Sequence, residues 1–224
     1  TKKGGIVRSK KDFTVGNVAL SMDAFWMWVK IVVACIPAVV YGLLFDDAVS
    51  EAFKKEIGTS GVTVQVIVVA VMLVLVGVLF IVIENWNKNR VPTTTTLSQL
   101  TYRDALIIGF CQLVAAALPG TSRSGATILG AIMIGISRTV AAEFTFFLAV
   151  PVMFGLSLLK LLKFGLVFTT PELVTLVVGS LVAFLVSLVV IKFLMGYIKK
   201  HDFKVFGWYR IVLGGVVLAY FAFK

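Results

Sequence analysis

The sequence predicts an all-α polytopic membrane protein, a transmembrane helix bundle that holds a re-entrant helical hairpin. Three observations carry this. Hydrophobic residues make up 59% of the chain and charged residues only 14%, where a soluble domain carries roughly 25% charge. Mean hydropathy is +1.02. Several apolar runs approach or exceed the roughly 20 residues that cross a bilayer, while two runs in the middle of the chain stop well short of it.

The elements follow in order, within a single transmembrane domain covering residues 1–224. A basic juxtamembrane segment opens the chain and leads into a first span at about 24–45. Trp26 and Trp28 suit an interface there, Lys30 can snorkel back to it, and Pro37 should kink the helix. An acidic loop, 46–61, carries Asp46, Asp47, Glu51 and Glu56. The second span, about 62–83, is uninterrupted. A polar connector with four consecutive threonines, 93–96, reads as a short flexible linker. Next come "ALIIGFCQLVAAAL" at 105–118 and "GATILGAIMIGI" at 125–136, only 14 and 12 residues long. Neither spans alone, so 105–136 reads as a re-entrant hairpin. Three further spans lie at about 140–159, 173–191 and 207–223.

The net charge of +10 does not mark a nucleic-acid partner. The basic residues collect at the ends of apolar runs, and no groove-reading or base-stacking motif accompanies them. With the N-terminal segment inside, loops 1–23, 84–104 and 192–210 hold five, three and five Lys/Arg, and the opposite loops 46–61 and 160–171 hold two each. Thirteen against four fits the positive-inside rule. Cys35 and Cys111 lie in apolar runs and read as buried small hydrophobes, with no disulfide or metal spacing. His201, the only histidine, falls in a charged loop where a solvated side chain is expected.

The chemistry concentrates in "LPGTSRSGATILG", 118–130. An arginine inside such a hairpin is a functional-site hypothesis by default. Pro119-Gly120 ends the first half-helix, and Thr121, Ser122 and Ser124 can cap the second. Free N–H groups and the positive end of the dipole then face a cavity. With the planar fork of Arg123 they make an anion site suited to phosphate, lined also by Gly120 and Gly125. Ser122, Ser124 and Thr127 add hydroxyls. The alternative is an ordinary break between helices whose arginine touches lipid phosphates. The spacing of a P-loop is absent. Two further polar groups are candidates for a supporting shell. Glu143 can orient Arg123, pair with Arg138 or help bind a cation. Gln112 needs a partner, either within the fold or on a substrate.

"PGTSRSGAT", followed by "GISRTVAAEFTFFLAVP", resembles the second signature region of the bacterial undecaprenyl-pyrophosphate phosphatases, also called bacitracin-resistance proteins. "TYRDALIIGFCQLVAAALPG" and "ACIPAVVYGLLFDD" resemble the family as well. The resemblance implies two re-entrant hairpins in inverted halves. A faint internal echo, "IPAVVYGLL" at 36–44 against "VPVMFGLSL" at 150–158, fits such a repeat. The resemblance further implies a multi-pass enzyme of the bacterial inner (plasma) membrane with its active site facing outward. The enzyme would hydrolyse undecaprenyl pyrophosphate to undecaprenyl phosphate and inorganic phosphate, recycling the cell-wall lipid carrier. A divalent cation (Mg or Ca) and a homodimer are further expectations. Carried over, the motif positions are Ser122, Arg123, Ser124 and Thr127, with Arg123 and Ser122 as the catalytic pair.

The chain departs from the family at its start. Members begin with a hairpin bearing an E-x-x-x-E pair and a Ser-Ser-x-Gly-His run, and nothing here matches. The expectation is that about one hairpin and part of a span precede Thr1, so that these residues carry half of an active site without the family's metal-binding carboxylates. The nucleophile stays open between Ser122, an activated water and a histidine from the missing segment. The residues by themselves also fit a carrier that flips a polyprenyl phosphate, because broken helices binding anions at mid-membrane are a transporter design.

Overall fold

A computed structural model describes residues 12–15, 18–44, 61–165 and 169–223. The basic segment 1–11 and nearly all of the acidic loop lie outside the described residues. A short antiparallel ribbon, β1 (Asp12–Val15) and β2 (Val18–Ser21), precedes the helices, with Val15 opposite Val18. The rest is helical: α1 (Met22–Leu44), α2 (Gly61–Asn87), α3 (Tyr102–Ala117), α4 (Arg123–Met133), α5 (Arg138–Phe164), α6 (Thr170–Ile198) and α7 (Lys204–Ala222). Five of these, all but α3 and α4, contain stretches long and apolar enough to cross a membrane. The all-α polytopic class is thus observed, and the two short runs are the two arms of a helical hairpin.

The core lies where the hairpin meets its neighbours. Ile31 and Ala34 of α1, Phe80 of α2, Ile108 of α3, Ile132 of α4 and Phe144 of α5 are all buried in one cluster. α3 packs on α1 and α4, and α4 on α5 and α2. α6 is different: apart from Ile198 and a few side chains of its last turns it is exposed along its length, and its surface is apolar. A helix so exposed and so apolar needs lipid, not water, as solvent.

α2 and α7 form the tightest pair, because glycines face each other. A Cβ on Gly77 would stand 2.7 Å from the Gly207 carbonyl oxygen, and one on Gly207 equally close to that of Gly77. Small residues that let backbones touch are how helices associate without a hydrophobic drive between them. This seam fixes the position of α7 against α2 and therefore of Arg210, on the second turn of α7.

Three sequence expectations change here. The threonine linker is not a free tether. Thr93 N–H donates to Gly135 O at 2.9 Å, Ser137 N–H donates to Thr94 O at 2.9 Å, and Gln99 Oε1 accepts from Thr95 N–H at 2.9 Å. The linker is a strap across the α4–α5 turn, its backbone paired with Gly135 and Ser137 on the far side of that turn. Lys30 does not snorkel outward; it is buried and its Nζ donates to Ser98 O at 3.3 Å. Arg210, counted above with a cytoplasmic loop, belongs to α7. The cysteines are half-buried free thiols, and Cys111 packs against Gly130 across the hairpin. His201 is exposed and stacks on Tyr197 at 4.3 Å.

Candidate active site at the hairpin tip

α3 ends at Ala117, and the chain turns through Leu118, Pro119, Gly120 and Thr121 to restart at Arg123. Gly120 is required by two constraints. Its φ is +86°, and a Cβ there would stand 2.8 Å from the Val69 carbonyl oxygen of α2. The tip is therefore tucked against α2, and Gly120 acts by permitting that approach. Gly120→Ala is expected to destabilise the protein by about 1–2 kcal/mol from the left-handed backbone alone, with the clash adding to it. Thermal unfolding in detergent measures this, and an unchanged midpoint would contradict the packing described.

Ser122 is the one non-glycine residue with positive φ among the described residues, at 63°. Holding an L-residue there costs of order 1–3 kcal/mol, and such strain clusters at functional sites. Ser122 caps α4: its Oγ accepts from Gly125 N–H at 3.3 Å, and its carbonyl accepts from Ala126 N–H at 3.0 Å. Its Oγ also lies 3.4 Å from Ser124 Oγ. No side-chain base touches it among the described residues, and a serine nucleophile needs one. The N–H groups of Arg123 and Ser124 are left without partners among the described residues, at the positive end of the α4 dipole.

Arg123 is the first residue of α4. Its Nη1 is sealed from solvent with no hydrogen-bond partner among the described residues. Leaving a buried donor unmade costs about 1–3 kcal/mol, so an anion that completes it gains from both charge and geometry. Gln112, on the buried face of α3, has the other unpartnered buried nitrogen among the described residues, Nε2.

Thr127 is placed differently from the expectation that its hydroxyl serves an anion. Its Oγ1 lies 3.0 Å from both Arg123 O and Ser124 O and accepts from Thr145 Oγ1 at 3.1 Å. The one hydroxyl proton is spent on those carbonyls, so Thr127 and Thr145 brace the first turn of α4 from behind. Glu143 does not pair with Arg138, and among the described residues it has no hydrogen-bond or ion-pair partner. Arg138 goes instead to Glu84, at the end of α2, at 2.6 Å.

Sequence reasoning missed Arg210. Its Nη1 donates to Thr121 O at 3.3 Å, and its guanidinium carbon lies 5.7 Å from the Phe80 ring centroid. Arg210 Nη2 and Ser122 Oγ both lie 3.4 Å from the point where a Gly125 Cβ would stand. Gly125 thus keeps open the space between the α4 cap and α7. The signal available in the sequence was an arginine at the sixth position of the apolar run that begins at Val205, just after Lys204. No three of His, Cys, Asp and Glu come together among the described residues. A divalent cation wants several oxygen ligands including carboxylates, so this set does not fit one.

Fold and tip together define a polytopic helical membrane protein built around a broken hairpin with unsatisfied cationic and N–H donors at its turn. The model of the family described as bacitracin resistance protein BacA matches residues 4–216, and the chain belongs to that family. An undecaprenyl-diphosphatase of Desulfitobacterium hafniense is 58% identical over 206 residues, 92% of this chain and 70% of that protein. Undecaprenyl-diphosphatase 1 of Clostridium acetobutylicum is 55% identical over 206 residues, covering 92% of this chain and 72% of its own. An undecaprenyl-diphosphatase of Enterococcus faecalis is 58% identical over 199 residues, 89% of this chain and 68% of that protein.

Proposed function

We propose that this protein is an undecaprenyl-diphosphatase, a multi-pass enzyme of the bacterial inner membrane that recycles the cell-wall lipid carrier. Its hairpin tip holds the pyrophosphate of undecaprenyl pyrophosphate, on a site opening outward. The observation that carries the site is the buried Arg123 Nη1, unpartnered among the described residues, at the start of a helix whose first two N–H groups, of Arg123 and Ser124, also lack partners there. Family membership carries the reaction.

Phosphoryl transfer is mostly positioning and charge neutralisation. Arg123 and the N–H groups of Arg123 and Ser124 grip phosphate oxygens, with the exposed Ser124 hydroxyl as a further donor. Ser122 Oγ is committed as a cap and lacks a base, so water is the nucleophile this geometry favours. Its oxygen bonds to the terminal phosphorus as the bridging P–O bond breaks, and its proton passes to the departing phosphates. The lipid monophosphate and inorganic phosphate leave. The described residues bring together no ligand set for a divalent cation.

The test is phosphate release from a polyprenyl pyrophosphate by the protein in detergent. Detergent abolishes the two compartments, so a carrier leaves no signal. Inorganic phosphate should accumulate in proportion to enzyme. Tight substrate binding with no phosphate released would overturn hydrolysis and favour transport.

A further inference from the structure

We propose that Arg210 is a second phosphate-binding residue of the hairpin-tip site, reaching it from α7. The inference rests on the reading of that tip as a pyrophosphate site and adds the group that completes its charge. A pyrophosphate ester carries more than one negative charge. Arg123 supplies one positive charge and the α4 dipole about half of another. Arg138 cannot make up the difference, because Glu84 neutralises it at 2.6 Å.

Arg210 can. It lies inside a membrane-crossing helix, where an arginine without a partner is costly and marks a functional pathway. Among the described residues no carboxylate lies within ion-pair distance of it. Three bland roles account for it poorly. A lipid-snorkelling arginine would point along the exposed face of α7, yet this one is turned inward, over Phe80 and against the hairpin. A structural ion pair needs an acid, and none lies within reach of it among the described residues. A pure brace for the hairpin uses one bond, Nη1 to Thr121 O, and leaves the rest of a five-donor fork idle. Those idle donors are not sealed from solvent as Arg123 Nη1 is, and Nη2 sits over Gly125 beside the cap residue Ser122. The glycine seam at Gly77 and Gly207, one turn away, holds this arginine in register with the tip.

The test compares Arg210→Gln and Arg210→Lys with Arg123→Lys in the detergent assay. It reads kcat, KM, competitive inhibition by inorganic pyrophosphate, and the thermal midpoint. Arg210→Gln should raise KM and weaken pyrophosphate inhibition by about tenfold or more, the loss of one charge-assisted contact, at a near-parental midpoint. A role confined to bracing would instead lower the midpoint and leave pyrophosphate inhibition unmoved. Should Arg210→Gln fail to fold, Arg210→Lys decides, since lysine keeps the charge and can still reach Thr121 O. A several-fold weaker pyrophosphate inhibition in Arg210→Lys supports the proposal, and parental constants overturn it. If both Arg210 variants are parental while Arg123→Lys is nearly inactive, only this inference fails. If Arg123→Lys is also fully active, the site reading itself fails.

Discussion

Arg123→Lys is expected to lower phosphate release by about 10²–10³-fold, the loss typical for one preorganised donor to a developing oxyanion. Lysine keeps the charge but not the planar fork that grips two oxygens at once. The same substitution should leave the thermal midpoint unchanged or raise it slightly. Arg123 Nη1 has no partner within the described fold, so exchanging it removes no native bond, and the flexible lysine stem lets its ammonium turn toward solvent. Activity lost while stability holds is the signature of a residue kept for its ligand. The measurement is a paired one, kcat/KM and thermal unfolding on one preparation. A midpoint that collapses along with activity would make Arg123 a structural residue of the hairpin. Retention of most of the activity would leave it touching lipid headgroups only.

Much of the architecture was legible because the bilayer imposes lengths. Runs of about 20 apolar residues had to be spans, and runs of 14 and 12 could not be. The hairpin and the capping role of Ser122 followed from Pro119-Gly120 and the hydroxyls around Arg123. What the sequence hid are contacts between residues far apart along the chain. Glu84 begins a stretch that reads as a polar connector, yet it is wholly buried, because Arg138 arrives 54 positions later to neutralise it. Glu143 is the nearer acid in sequence to Arg138, but nearness along the chain does not decide the pairing. The hydroxyl of Thr127 shares a helix face with Ser124, but it lies on the inner side, where two carbonyls and Thr145 claim it. Arg210 looked like one more cytoplasmic charge. Its place at the tip depends on the seam between Gly77 and Gly207, a pairing no periodicity reveals.

The largest expected effect on stability comes from Glu84→Ala. Glu84 ties three elements at one end of the bundle. Its carboxylate accepts from Arg138 Nε at 3.0 Å and Nη2 at 2.6 Å, joining α2 to the start of α5. It also accepts from Phe203 N–H at 3.0 Å, joining both to the turn before α7. Removing one partner of a buried pair costs about 3–5 kcal/mol, because the other charge is left uncompensated. The Arg138 side chain is 39% exposed, so solvent screens part of that charge and the expected loss is near the lower end, about 3 kcal/mol. Phe203 N–H, orphaned in the same step, keeps the cost from falling further. Glu84→Gln should cost less, since an amide oxygen still serves Phe203 N–H. Replacing Glu84 and Arg138 together by methionines should recover most of the loss, because a buried pair exchanged for apolar volume is often neutral. Unfolding of the four proteins in one detergent measures the series. A double variant as unstable as Glu84→Ala would show that the stabilisation lies in the Phe203 bond and not in the ion pair. Through Phe203 and the turn that follows, the same carboxylate sets where α7 begins, and with it how far Arg210 reaches toward the hairpin tip.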